Sequence, residues 1–305
     1  MTDIVAMPKV QWERMVILGV GLIGGSLARA VRLAGICREV VGWGRNPATL
    51  ERALALEVVD RIETDLATAV RGADLVVAAV PPGVMEALFR ELAGMLGPET
   101  VLTDVGSTKG SVVTAARAAF GTLPAHFVPG HPIAGNERSG VEAADANLFN
   151  NRLVILTPLP ETDSGSVSRV RALWEVCGAE ITEMEVEHHD TVLAATSHLP
   201  HLLAFTLVDV LARMDDSWEI FHYAAGGFRD FTRIAGSDPV MWRDICLANR
   251  THLLAMLDRY RDGLDQMATA ITTGDGDRLH QIFSHARAAR EYFSAQKNML
   301  KPSAS

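Results

Sequence analysis

Cysteine is scarce in this sequence. Cys37, Cys177 and Cys246 stand alone, at spacings that match neither a metal-binding pattern nor a disulfide framework. They read as buried free thiols in a reducing compartment. Basic runs are missing, and with a net charge of −9 nucleic acid is not an expected partner. The first ten residues hold no apolar core of signal-peptide length, and the longest apolar runs read as too short to span a bilayer. The expectation is a cytoplasmic protein with no membrane segment. No H-E-x-x-H occurs, and Pro200 separates His198 from His201, so these two with Asp190 make a poor ligand set and no metal is expected. What is present is globular: 305 residues, 48% apolar and 21% charged, enough for two domains with sizeable cores.

The stretch from Arg14 to Ser26 joins an apolar run, suited to a buried parallel strand, to a helical pattern from Leu22 to about Leu33. Between them lies G-x-G-x-x-G, in the strand–turn–helix context that gives this motif weight. Gly19 would permit the tight turn, Gly21 the approach of backbone to a pyrophosphate, and Gly24 close packing of helix on strand. Leu22 and Ile23 open the helix whose N-terminus would receive the phosphates. A glycine turn without a ligand is the competing reading. A second strand, 39–43, ends in Gly44-Arg45 where an NAD-binding unit usually carries an acid. Arg45 suits a 2′-phosphate, so NAD and NADP both remain open.

Strands and helices then alternate. Helices are expected over 47–56, 65–71, 84–96 and 108–120, and strands over 73–79 and 100–103. This pattern implies a doubly wound parallel sheet of Rossmann type. Pro81 closes the 73–79 strand on the side where such sheets bind ligands, and Asp104 ends the next one; both are candidate cofactor contacts. At Asp104-Val-Gly-Ser107-Thr108-Lys109, Ser107 or Thr108 either caps a helix or turns a hydroxyl into the cleft.

His131 follows in a Pro/Gly-framed loop, Val128-Pro-Gly-His-Pro-Ile-Ala-Gly-Asn136-Glu137. Strands are expected over 151–157 and 179–182, with a helix over 166–177 between them. Beyond Glu183 only helical patterns remain: 185–214 with an interruption near Pro200, 218–232, 239–263 and 277–296. The domains therefore read as 1–183, binding a dinucleotide, and 184–305, all helical. The Leu, Ala and Met content of the second implies a subunit interface. His198 and His201 can share a helix face. Arg229 and Arg233 lie one turn apart in an otherwise small and apolar stretch, and an arginine fork matches a carboxylate; an Arg–Asp pair with Asp230 or Asp238 is the structural alternative.

Five motifs together carry a resemblance: Gly19-Val-Gly-Leu-Ile-Gly-Gly-Ser26, Asp104-Val-Gly-Ser-Thr-Lys109, Gly130-His-Pro-Ile-Ala-Gly135, Ser197-His-Leu-Pro-His201, and Asp230 through Trp242. Over about residues 15–293 the chain resembles the prephenate/arogenate (cyclohexadienyl) dehydrogenase family. The resemblance implies a Rossmann domain followed by a helical dimerisation domain, with prephenate or arogenate as substrate and a homodimer as the assembly. By it, His131 is the catalytic histidine and Ser107 supports its contact with the substrate hydroxyl. Arg233 holds a substrate carboxylate. His189, His198 and His201 lie in or near the pocket, and Glu137 joins an ionic network with the arginine. Gly226 and Trp242 match pocket positions, the tryptophan extending toward a neighbouring subunit's site. Asn136 stands where relatives often carry Thr, which leaves side-chain selectivity open with a lean to prephenate. The length leaves no room for a fused mutase or amino-acid-sensing domain.

Two other classes compete. β-Hydroxyacid dehydrogenases resemble one another in using a lysine early in the helical domain, and this chain has none between Lys109 and Lys297. Imine reductases are less strongly opposed. A nucleotide-sensing module would not require a histidine and an arginine converging on the cleft.

Overall fold

The computed structural model describes residues 11–136 and 138–299. Nine strands and thirteen α-helices are assigned among them. The first part alternates β1 Trp12–Leu18, α1 Leu22–Ala34, β2 Cys37–Trp43, α2 Pro47–Ala55, β3 Arg61–Glu63, α3 Leu66–Val70, β4 Leu75–Ala78, α4 Pro82–Leu92, β5 Val101–Asp104, α5 Lys109–Phe120 and β6 Phe127–Val128. These six strands form one parallel sheet in the order β3-β2-β1-β4-β5-β6. Side-chain parity builds the layers. Met15, Ile17, Leu75 and Val77 point into one core with Leu27 and Val31 of α1, whereas Val16, Leu18, Val76 and Ala78 point into the other with Met85 and Phe89 of α4. Strand order reverses between β1 and β4, so the carboxyl ends of those strands open the ligand crevice of a doubly wound sheet.

Three short strands escaped the sequence pattern: β3, β6 and β7 (Gly130–Pro132). Two or three residues are too few to show a period. β7 starts a second sheet, pairing antiparallel with β8 (Leu153–Leu156), which pairs parallel with β9 (Glu180–Glu183); α6 (Ser164–Val176) links the last two. His131 therefore sits on a strand, not in a free loop.

After Glu183 only helices follow, as expected: α7 Val186–Leu193, α8 Leu199–Ala212, α9 Ser217–His222, α10 Gly226–Thr232, α11 Pro239–Ala248, α12 Arg250–Thr273 and α13 Gly276–Met299. A π-helical turn, Ala194–His198, joins α7 to α8 without a break. The interruption expected near Pro200 is this π turn, which lies just before Pro200, where the helix ladder lacks an N–H. Val186–Ala212 is in consequence one 27-residue helix, long and apolar enough by length and composition to cross a bilayer. Separate apolar runs in the sequence did not reveal this, since the histidines split them. Packing divides the described residues at Leu253/Leu254, not at 183/184. The change of secondary structure falls at the expected place, but α7 packs on α5 and α11 on α4. Those contacts make the helices up to Leu253 part of the first unit.

Candidate active site

The turn after β1 has the geometry its glycines suggest. Gly19 has φ +100°, and a Cβ there would stand 2.4 Å from the carbonyl oxygen of Ala79, just past β4. A Cβ on Gly24 would meet the Gly19 carbonyl at 2.3 Å. Gly21 is different: a Cβ there would meet nothing within 4 Å. It is the N-cap of α1, which leaves the first-turn N–H groups, those of half-buried Leu22 and Ile23 included, without a side-chain cap. This fits a dinucleotide pyrophosphate. Arg45 is exposed just beyond β2, and Pro81 is exposed at the N-cap of α4, both at carboxyl ends of strands.

At the end of β5 the Asp104 carboxylate is fully buried, pairs with the fully buried Lys109 ammonium, and accepts the N–H of Gly106 at 2.7 Å and of Gly130 at 3.2 Å. Its oxygens are thus engaged with the protein itself. Lys109, which motif reading left without a role, also donates to the Gly130 carbonyl at 2.6 Å. The Asp104–Lys109 pair thus clamps both sides of the residue before His131. Lys109 is the one lysine in the long stretch between Lys9 and Lys297, which could have marked it out.

His131 is 7% exposed. Its Nδ1 lies 2.9 Å from Nε2 of His189, and Nδ1 of His189 lies 2.8 Å from Oδ1 of Asp190. His189 is fully buried and Asp190 nearly so. Asp190 also receives the backbone N–H of Lys109 on Oδ1 and of Gly110 on Oδ2, both at 2.8 Å. The N-terminus of α5 is therefore capped from α7. Thr108, the N-cap residue, makes no side-chain cap bond, and half-buried Ser107 makes no side-chain hydrogen bond among the described residues. Burial, reinforced by the charges of His189, Lys109 and His198, holds His131 well below the ordinary histidine pKa. Burial likewise lowers His189, against the pull of Asp190. Among the described residues Nε2 of His131 has no hydrogen-bond partner.

The other histidines separate. His198 turns inward, its Nδ1 3.0 Å from Nδ2 of Asn249, which also donates to the Asp190 carbonyl at 2.8 Å. Burial pushes the His198 pKa down to about 4. Asn249 had no motif to announce it. His201 is half-buried, its Nδ1 2.9 Å from the Ser197 carbonyl. It stacks on Trp242 with ring centroids 3.6 Å apart. Trp242 is 8% exposed. Burial first, and then the charge of Arg233, lowers the His201 pKa. Arg233 is exposed at the start of the 3-10 turn Arg233–Gly236, which packs on α8. Gly226 is exposed at the start of α10. Asn136 is exposed and accepts the Arg138 N–H at 2.8 Å. Glu137 lies outside the described residues.

A polar chain thus runs from Nδ1 of His131 into α7. Comparison with known proteins identifies the family. Residues 27–183 match the family model described as prephenate dehydrogenase, nucleotide-binding domain, and residues 185–285 match its dimerization domain. The chain is 38% identical to a cyclohexadienyl dehydrogenase of Zymomonas mobilis, over 92% of this chain and 95% of that one. It is 36% identical to a prephenate dehydrogenase of Bacillus subtilis, over 92% and 76%. Its fold is similar to that of a solved Aquifex aeolicus prephenate dehydrogenase in complex with hydroxyphenyl propionate and NAD+, with a TM-score of 0.87, 34% identity, and coverage of 94% of this chain and 100% of that one. The chain belongs to the prephenate dehydrogenase family.

Proposed function

We propose that this protein is an NAD-dependent prephenate dehydrogenase, converting prephenate to 4-hydroxyphenylpyruvate and carbon dioxide as a step toward tyrosine. The observation that carries the reading is His131, buried and held neutral, with one nitrogen unengaged at the edge of a dinucleotide crevice. NAD+, held by the β1–α1 turn, would supply the hydride acceptor for the hydroxyl-bearing ring carbon. His131 takes the hydroxyl proton through Nε2. The O–H bonding pair left on oxygen becomes the second C–O bond as the hydrogen on that carbon leaves with its own pair. The ring carboxylate then leaves as carbon dioxide, and its bonding pair enters the ring as it becomes aromatic. Ser107, in the connection before α5, supports the contact with the hydroxyl. Arg233 binds a substrate carboxylate, with His201, Trp242 and Gly226 shaping the wall around it. His198 and His189 stand behind that wall, Glu137 belongs to the ionic network of the arginine, and Asn136 faces the side chain. Gly19, Gly21, Leu22, Ile23 and Gly24 hold the pyrophosphate, with Arg45 and Pro81 at the rim.

The neutral Asn136 leaves the keto acid of prephenate acceptable. The similarity to the Zymomonas mobilis cyclohexadienyl dehydrogenase supports a test with arogenate alongside. The protein acts as a homodimer in the cytoplasm through its helical part, with neither nucleic acid nor membrane as partner. The test is absorbance of the reduced nicotinamide on mixing enzyme with NAD+ or NADP+ and either substrate. The expected result is rapid reduction of NAD+ with prephenate. No reduction with either substrate would refute the reading, and a higher specificity constant for arogenate would reassign the substrate.

A further inference from the structure

We propose that Asp190, acting through His189, fixes His131 as the tautomer with its proton on Nδ1 and its lone pair on Nε2. His189 and Asp190 are then positioning residues for the proton transfer. The inference rests on the reading of His131 as the base and deepens it.

The argument follows the hydrogens. The Asp190 carboxylate is acceptor only, and its Oδ1 lies 2.8 Å from Nδ1 of His189, so that nitrogen carries a hydrogen. Neutral His189 has only one ring N–H, and its Nε2 is therefore an acceptor. Nδ1 of His131 is 2.9 Å from that acceptor and must be the donor. Neutral His131 is thereby left with a bare Nε2, the nitrogen a hydroxyl proton needs. The opposite tautomer of His131 would set two lone pairs against each other inside the protein. His189 is fully buried, which excludes solvent as a replacement partner. Proton capture at Nε2 leaves the Nδ1–H bond in place, so no group behind the base has to move.

The carboxylate at the root of this chain is itself immobile. Both its oxygens accept N–H groups from the first turn of α5, at Lys109 and Gly110. Asn249 also donates to the Asp190 carbonyl. One residue thus caps a helix of the nucleotide-binding part and orients the base, so the tautomer of His131 depends on α7 being seated on α5.

The test uses the full-length enzyme with 15N-labelled histidine and two-bond proton–nitrogen correlation spectra, recorded without substrate. The expected wild-type spectrum shows His131 protonated at Nδ1 and bare at Nε2. A proton on Nε2, or an average of both tautomers, overturns the proposal. His189→Phe keeps the side-chain bulk and leaves the Asp190 cap on α5 intact. It should give mixed His131 tautomers and lower kcat roughly a hundredfold, with KM for prephenate and Kd for NAD+ within about twofold. Asp190→Asn should move the tautomer in the same way. Wild-type kcat in His189→Phe, or a loss confined to KM, overturns the proposal. Should a variant fail to fold, the wild-type spectrum still decides. The spectrum also separates the two readings: a wild-type enzyme with the expected tautomer but no turnover of prephenate refutes the function and leaves the relay standing.

Discussion

At the scale of the residue, the proposed chemistry rests on a histidine whose proton affinity burial lowers. His131→Asn removes the base while keeping a polar group of similar reach. Turnover of prephenate should fall roughly a hundred- to ten-thousand-fold with little change in KM; near-wild-type turnover would refute the assignment. The pH dependence follows from burial. His131 is held well below the ordinary value of 6.5, so it stays unprotonated as pH falls through 6.5. The acid limb of kcat/KM should therefore lie below pH 6.5, and a limb centred at or above it would mean another group is titrating. Stability should follow the same direction. The folded pKa of His198, about 4, is depressed below the unfolded 6.5, so the unfolded chain binds the proton first. That contribution is complete above pH 6.5 and is lost as pH falls toward 4, up to about 3 kcal/mol for this residue. Urea unfolding at several pH values between 7.5 and 4.5 measures it, and a flat profile would refute it. His131, Ser107 and Arg233 could be proposed from sequence because each lies in a motif that carries the family resemblance. Asp190 as a cap for α5, and Lys109 and Asn249 as internal partners, could not. Their roles depend on residues 21 to 81 positions away, and no local spacing encodes such a contact.

At the scale of the element, the β1–α1 turn separates two jobs that one motif combines. Gly19 is demanded by the fold, because φ +100° and the Ala79 carbonyl at 2.4 Å leave no place for a side chain. Gly21 is not: its φ of −97° suits any residue, and the space beside it is empty of protein. The two alanine variants should therefore differ. Gly19→Ala should destabilise the protein by about 1–3 kcal/mol through backbone strain. Gly21→Ala should leave the unfolding midpoint unchanged and raise the Kd for NAD+, since the methyl would occupy the place of a phosphate. Denaturant unfolding and NAD+ titration on both variants check this, and unaltered NAD+ affinity in Gly21→Ala would remove the phosphate site from this turn. The motif was visible in the sequence because a buried strand, a turn and a helix are each long enough to show their period. The strand carrying His131 was not, since three residues framed by prolines and glycine look like a loop until β8 is seen beside them.

At the scale of the molecule, large apolar side chains are exposed in both packing units. Sixteen of the twenty-two exposed large apolar side chains among the described residues lie beyond Glu183, Val210, Trp218, Leu247 and Ile271 among them. The helix Val186–Ala212 is long enough to enter a bilayer, so lipid and a second copy of the chain are both physical answers. Its N-terminal end decides between them. Asp190 is bonded to Lys109 and Gly110 at the start of α5, and His198 to Asn249, so the helix is committed to the protein interior through His198. Only Leu199–Ala212, 14 residues, is left to cover. A spanning helix needs about 20. A symmetric pairing of this face with its copy needs no such length and buries both at once. Light scattering on the detergent-free protein at micromolar concentration should give about twice the chain mass of 32.9 kDa. Val210→Asp, a charge placed on the exposed side of α8, should shift the mass toward the monomer. A wild-type protein that runs as a monomer, or that stays in solution only with detergent, would refute the pairing.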